Sequence, residues 1–318
     1  MNIYDIAQEA GVSIATVSRV LNNKGTVGAA TREKVEAVLA RHNYTPSAIA
    51  RGMAGKPLRT VAVLTVDIRV PHYARTAYTM EREFSRRGYE VILCNTGGDS
   101  GAAQRYLQAV GRKQVDGLVL VGSVFNRIGR EPEIRPLLTK VPMVLANGAL
   151  DLPNSRSVLV DDAAGIRAAA EHLMALGRNK LIYIKDLDTA SADAKRDGFL
   201  AAVPHGRVIE AENGTAALRQ LLESGAEFDA VVCGEDLTAA QVVNGLCRAG
   251  IRVPEDAAVT GYNCSVYASL SRPALTSVDN KPEEVALRCV ELLEGLMEGN
   301  GGVSSVTVTP ELVPGGST

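Results

Sequence analysis

The chain has 318 residues, 46% hydrophobic and 22% charged, with a formal net charge of -2. That length supports two or three structural units with a substantial core, and no apolar run is long enough to suggest a membrane-spanning helix. Five scattered cysteines, at 94, 233, 247, 264 and 289, are odd in number and lie in apolar runs, which excludes a disulfide framework and reads as reduced core thiols.

The charge is unevenly shared. Residues 1–60 carry 8 Lys and Arg against 4 Asp and Glu, leaving 26 against 32 of the totals of 34 and 36, so a head of +4 precedes a body of -6. A basic head on an acidic body suggests that nucleic acid meets the head, with a solvated basic face as the alternative. No basic segment followed by an apolar stretch opens the chain, so a soluble cytoplasmic protein without membrane association is expected. His42, His72, His172 and His205 lack ligand spacing and Cys-x-x-Cys is absent, so neither a metal nor a cofactor is expected.

Ile3, Ile6, Ala7 and Ala10 form an apolar stripe at helical spacing, broken by Gly11 before Ser13 offers an N-cap. In the next segment, GVSIATVSRVLN, Val17, Val20 and Leu21 fall on one side, and Ile14, Ala15, Ser18, Arg19 and Asn22 on the other; Thr16 lies nearer the packed side. Two short helices across a glycine turn read as a helix-turn-helix, the second free to enter a groove of DNA. A third stripe, Val35, Val38, Leu39 and His42, follows Thr31 and closes a three-helix core. An ordinary small helical bundle is the plainer alternative.

Thr45 and Pro46 then start a helix that Gly55 and Pro57 end. At about nine residues, weakened by Gly52, it falls below the roughly 12–15 needed for marginal stability in water. Ile49 and Met53 share a face that could pack on a symmetry mate or wedge between base steps; a plain linker is the alternative.

From Leu58 onward short apolar runs alternate with amphipathic segments that end in glycine. The runs are 60–66, 90–95, 117–122, 143–147, 157–161, 180–185, 230–234 and 257–263; the helices include 73–88, 163–177 and 236–250. This is the pattern of parallel sheets covered on both faces, a doubly wound α/β body long enough for two lobes. Ligands in such sheets sit at the carboxyl ends of the strands. Those ends carry Asp67, Arg69, Ser123, Asn147, Asp188, Glu235 and Asn263, with Tyr73 opening one following helix and Lys195 near the start of another. Carboxylates and amides converging on one cleft suit a small polar or polyhydroxylated molecule, although each residue singly reads as a turn or cap.

No dinucleotide fingerprint, phosphate-cradling loop or nucleophile elbow is present. The acid pairs Asp161–Asp162 and Glu235–Asp236 each open a helix, where negative charge is favoured without catalysis. No catalytic residue is assigned.

Taken end to end, the chain resembles the LacI/GalR family of bacterial transcription regulators. The likeness is carried by NIYDIAQEAGVSIATVSRVLNN, TREKVEAVLARHNYTPSAIARGMAG, YEVILCNTGGD, VDGLVLVG, EHLMALGRNKLIYI, LCRAGIRVPEDAAVTGYN and RPALTSVDN, in that order. The resemblance implies a helix-turn-helix head (1–45), a hinge helix and linker (46–58) and a two-lobed periplasmic-binding-protein-like body (59–318) that binds effector and dimerises. It implies that Ile14, Ala15 and Arg19 read base edges in operator DNA, that Tyr4, Thr16, Ser18 and Asn22 hold phosphates, and that Met53 is the minor-groove wedge. It further implies a homodimeric regulator, most simply a repressor, controlled by a small polar effector such as a sugar bound between the lobes. No tetramerising heptad follows Glu291.

Four residues depart from the family pattern. Gly28 replaces a serine cap, Lys195 a sugar-binding arginine three residues before Gly198–Phe199, Glu235 an asparagine and Asn263 an aspartate. Arginine and lysine are not interchangeable, and a lysine there also resembles the catabolite-control branch, which uses a phosphoprotein corepressor. A periplasmic-type binding protein and an α/β enzyme with an accessory head are the readings from other classes.

Overall fold

The computed structural model describes residues 2–21, 25, 27–42, 58–300 and 304–318. The expectations for Asn22, Met53 and the hinge helix lie outside the described residues. By contacts the chain divides into two units, Met1–Leu58 and Arg59–Thr318.

In the first unit, α1 (Ile3–Ala10), α2 (Ile14–Leu21) and α3 (Ala29–Arg41) close around Ile6, Ala7, Val17, Val20, Val35 and Val38. Asn2 starts α1 with a capping box, its amide oxygen accepting from the Tyr4 and Asp5 backbone N–H groups while Asp5 accepts from the Asn2 N–H at 2.8 Å. Gly11 ends α1 at φ +64°, a left-handed conformation that costs glycine nothing, and Ser13 caps α2 through the Thr16 N–H at 3.2 Å. The third helix begins at Ala29 behind Gly28, which offers no side-chain cap, two residues before the threonine that the stripe had suggested. Glu9 on α1 binds Arg41 and His42 at 2.8 Å each, tying the first helix to the end of the third.

The second unit holds two six-stranded sheets among the described residues. The first lobe contains β1 (Thr60–Thr65), α4 (Pro71–Arg86), β2 (Glu90–Asn95), α5 (Ser100–Lys113), β3 (Gly117–Val121), α6 (Phe125–Ile128), α7 (Arg135–Leu138), β4 (Met143–Ala146) and β5 (Ser155–Val160). The second contains α8 (Asp162–Ala175), β6 (Leu181–Lys185), α9 (Ala190–Ala202), β7 (Arg207–Glu210), α10 (Gly214–Glu223), β8 (Ala230–Cys233), α11 (Asp236–Arg248), β9 (Ala258–Tyr262), α12 (Val266–Leu270) and β10 (Thr276–Asp279). The chain then returns to the first lobe for α13 (Pro282–Met297) and β11 (Val306–Val308), and ends in the second with β12 (Glu311–Val313).

The strand orders are β11-β5-β4-β3-β1-β2 and β12-β10-β9-β8-β6-β7. All pairings are parallel except β10 with β12. Each order reverses direction once, between β1 and β3 in one sheet and between β6 and β8 in the other. Those two reversals are where a doubly wound sheet leaves a crevice at its carboxyl edge. Strands β7, β10 and β12 were not read from sequence because they are short and half polar; in β10, Thr276 and Ser277 are buried as hydrogen-bonding groups. The last residues are also built in, with Ser317 fully buried and its hydroxyl bonded to the Val259 carbonyl and the Thr276 N–H. No helix of the described residues is long and apolar enough to cross a membrane.

Helix α9 lies against α8 so closely that a Cβ on Gly198 would sit 2.2 Å from the Ala163 carbonyl oxygen. Backbone cannot yield as a side chain does, so Gly198→Ala should cost about 1–3 kcal/mol through overpacking. Urea unfolding of the full chain measures this as a lowered midpoint at unchanged slope.

Candidate functional site

Three features of the first unit bear on a DNA interface. The α2 face opposite the core leaves Ile14 40% exposed with Ala15 and Arg19 also exposed, and Tyr4 on α1 is 66% exposed. Ser18 and Thr16 are half-buried. The Thr16 hydroxyl lies 3.0 Å from that of Ser13, so it serves the start of the helix in this conformation. A short apolar and basic face, rimmed by hydroxyls, suits a major groove, where arginine matches guanine and small apolar groups match thymine methyls.

The second unit carries a cavity between its lobes with a free interior of about 60 Å³, several times the roughly 10–15 Å³ that one water needs. Its walls come from the carboxyl ends of the strands on both sides. His72, Tyr73 and Thr76 follow β1, Ser123 follows β3, Asn147 follows β4 and Asp162 follows β5. From the second sheet come Asp186, Ser191 and Lys195 after β6, Glu235 after β8, Asn263 after β9 and Asn280 after β10. Tyr73, Ser123, Asn147, Lys195, Glu235 and Asn263 were expected from sequence, and the fold gathers them. Asp67 and Arg69 lie outside the lining and pair with each other at 2.7 Å, while the exposed Asp188 meets Arg127 of the other lobe at 3.4 Å.

Polar side chains bridge the lobes. The Asp162 carboxylate, 4% exposed, accepts from Tyr262 at 2.6 Å, Ser191 at 2.5 Å and Asn147 at 3.1 Å. The Ser191 N–H donates to Ser123 Oγ at 3.2 Å. On the far side, the Arg75 guanidinium of α4 donates to Glu283 and to the carbonyls of Asn263 and Cys264.

Asn147 and Asn263 are related positions in the two lobes. Each follows its strand with a positive φ, 51° and 96°, which asparagine tolerates better than most residues. Each donates its N–H at 2.7 Å to the neighbouring strand, at Val158 and Val278.

Lys195 is 6% exposed. Its ammonium donates to the Gly234 carbonyl at 3.0 Å and sits 3.8 Å from the centre of the Tyr262 ring, a cation–π contact. Glu235 stands at the N-cap of α11 but caps nothing; its carboxyl instead receives the Asn263 amide. Burial raises its pKa to about 8, Lys195 and the Asn263 bond pull it back, and Asp186 and Asp236 add repulsion. Burial lowers the His72 pKa to about 3, assisted by Lys195 and Arg75, so its ring is neutral at physiological pH.

The two acid doublets resolve in a way that sequence did not separate. Asp161 caps α8 through the Ala164 N–H at 2.9 Å while Asp162 turns into the cavity. Glu235 turns into the cavity while Asp236 anchors the Ser265 N–H and the Ser277 hydroxyl at 2.6 Å each. His72, Asp162, Asp186, Ser191, Tyr262 and Asn280 were missed as members or supports of the site. Their common signal is position at the end of a strand, directly after one, or at a helix start, which in sequence also describes every cap. Among the described residues no cluster of three or more metal-ligating side chains occurs.

Comparison with known proteins agrees with this architecture. Residues 2–47 match the bacterial regulatory proteins of the lacI family, and residues 170–318 match a periplasmic binding protein-like domain. An HTH-type transcriptional regulator of Lachnoclostridium phytofermentans is 32% identical over 326 residues, 98% of each chain. The ribose operon repressor of Escherichia coli K12 is 33% identical over 306 residues, 91% of each chain. The crystal structure of a Lac repressor dimer bound to operator and an anti-inducer superposes with a TM-score of 0.87 over 100% of this chain and 99% of that one; at 24% identity it shows the fold.

The two shifted groups act on stability in opposite senses. Glu235 holds its proton more tightly folded than unfolded, so its contribution falls as pH rises from about 4.5 to about 8. His72 resists protonation when folded, so its contribution falls as pH drops from about 6.5 towards 3. Of these two, only Glu235 therefore acts between pH 6.5 and 8. Melting curves across that range should decline less steeply for Glu235→Gln than for the unaltered chain, and equal slopes would contradict a protonated buried Glu235.

Proposed function

The chain belongs to the lacI family of bacterial regulatory proteins, DNA-binding transcription regulators and not enzymes, and we propose that it is a homodimeric repressor whose operator affinity is set by a sugar bound between its lobes. The observation that carries this reading is the inter-lobe cavity, with hydrogen-bonding side chains contributed by both sheets. A ligand touching both walls biases the angle between them, and a change of that angle is the kind of rigid-body step that alters spacing across a dimer. The similarity to a repressor of a ribose operon supports a carbohydrate.

In this proposal residues 1–45 form the DNA-binding head, 46–58 the hinge and 59–318 the effector and dimerisation body. Ile14, Ala15 and Arg19 read bases; Tyr4, Thr16, Ser18 and Asn22 grip phosphates; Met53 wedges the operator centre. Tyr73, Ser123, Asn147, Lys195, Glu235 and Asn263 contact effector, joined by His72, Asp162 and Asn280. The sequence-stated roles of Asp67 and Arg69 as effector contacts receive no support from their position outside the lining. Exposed Tyr78 and Leu93 on the first lobe, and Leu237, Val266 and Leu270 on the second, supply apolar surface for a partner copy to cover. Lys195 faces inward, away from any surface where a protein would dock, and so lends nothing to a phosphoprotein corepressor.

Thermal unfolding against a sugar panel tests the effector. A bound sugar at about 100 times its Kd should add roughly 2.7 kcal/mol of stability, and the same sugar should shift operator affinity in a mobility assay. No response to any sugar would refute the reading. On the DNA side, Arg19→Ala should cost about 1–3 kcal/mol and relax preference at one base pair per half-site; uniform weakening on every sequence would instead make Arg19 a phosphate contact.

A further inference from the structure

The second unit begins at Arg59, the residue that leads into β1, and its backbone holds a left-handed conformation at φ +53°. A side chain disfavours that region, so the conformation persists only where the surroundings enforce it, and enforced positions of this kind cluster at clamps and switches.

The surroundings of Arg59 are of that kind. Its guanidinium donates to the Arg87 carbonyl at 2.9 Å and lies 5.5 Å from the centre of the Tyr89 ring, a cation–π contact. Gly88, between those two residues, turns at φ +78°, and a Cβ there would come within 3.3 Å of the guanidinium. Main-chain bonds hold the other side. The Arg59 carbonyl accepts from the Glu90 N–H at 2.7 Å, while the Thr60 N–H donates to the Asp116 carboxylate at 2.9 Å and the Thr60 carbonyl accepts from the Asp116 N–H at 2.8 Å. The turn that receives Arg59 is anchored in its own right: Tyr89 packs edge-on against buried Phe84, and Arg87 pairs with Glu83 of α4 and Glu294 of α13 at 2.8 Å each.

Both guanidinium ties lead to the turn between α4 and β2. Those two elements carry Tyr78 and Leu93, exposed apolar residues offered above to a partner copy. A displacement of one first lobe against the other therefore carries residue 59 along as part of a rigid body. Without the guanidinium, nothing but main-chain bonds would oppose relaxation of the left-handed backbone, and the chain would enter β1 from more than one direction.

We infer that Arg59 is a positioning residue: it fixes the direction in which the chain enters the body, and so the separation and rotation of half-sites that a pair of heads accepts. This rests on the homodimeric DNA-binding reading above and adds to it the residue that sets operator spacing.

The probe is a duplex selected from a random pool by the unaltered full chain, remade with its half-sites one to three base pairs closer together or farther apart. Each base pair moves a half-site by about 3.4 Å and turns it by roughly 34°. In a mobility assay the unaltered chain should show one sharply preferred spacing. Arg59→Ala should lose about tenfold in affinity at that spacing and much less at the others, which flattens the profile; a loss of stability alone would lower binding at every spacing alike. Arg59→Gly, which reaches the same backbone conformation without the guanidinium, should flatten it equally, and Arg59→Lys, which keeps a cation for the ring, should restore part of the preference. Thermal melting checks each variant, and Tyr89→Leu, which removes the ring from the other side of the contact, decides the matter if Arg59→Ala does not fold.

An unchanged spacing profile in Arg59→Ala and Tyr89→Leu makes Arg59 a tie within the first lobe only; it overturns this inference and leaves the homodimeric regulator standing. Selection of a single half-site by the unaltered chain overturns the homodimeric reading and the inference with it.

Discussion

A carboxylate withdrawn from water needs donors, and Asp162 draws its donors from both lobes. Asn147 reaches it from the first sheet, Ser191 and Tyr262 from the second. The residue stands where the chain first crosses from one lobe to the other, between β5 and α8. Buried polar groups are tolerated where their hydrogen bonds are met, and here that takes three groups converging from both sides, so the interior of the cleft and the approach of the lobes are one problem. Ser123 on Ser191 and Arg75 on the carbonyls after β9 extend the same cross-lobe bonding.

Around this centre the molecule uses one plan twice. Both sheets share a strand order, both reverse at the strand that precedes the cleft, and both end a central strand in an asparagine with a left-handed backbone. Two acid doublets also stand at helix starts beside the cleft, and in each one member holds the local fold while the other faces the cavity. The exchange of amide and carboxylate at Glu235 and Asn263, relative to the family pattern, keeps a hydrogen-bonded pair but buries the longer acid. Burial then favours its protonated form and lowers the charge inside the cleft.

The head works by different physics. Its small core leaves one face of α2 to an external partner, and its helix ends are satisfied locally by Asn2, Gly11 and Ser13. Such a unit presents side chains on a rigid frame, which is what groove reading needs.

Sequence by itself determined the helix-turn-helix, because amphipathic stripes, a glycine C-cap and a serine N-cap are local signals that tertiary context did not override. It also determined the doubly wound body, since strands buried on both faces read as continuous apolar runs, and it located six cleft residues from their place after those strands. The edge strand β7 was hidden because it is four residues long with charged, exposed ends, and the polar strand β10 because hydropathy does not register a buried hydroxyl whose partner is distant in sequence. Only the tertiary structure decided which acid of each doublet is a cap, that Asp67 and Arg69 neutralise each other outside the cavity, and that His72 and Asn280 face it with polar atoms unmet. Apart from local pairs such as Asp67–Arg69, these side chains' partners, and hence their unused hydrogen bonds, are set by residues tens to hundreds of positions away. That is information a local pattern does not contain.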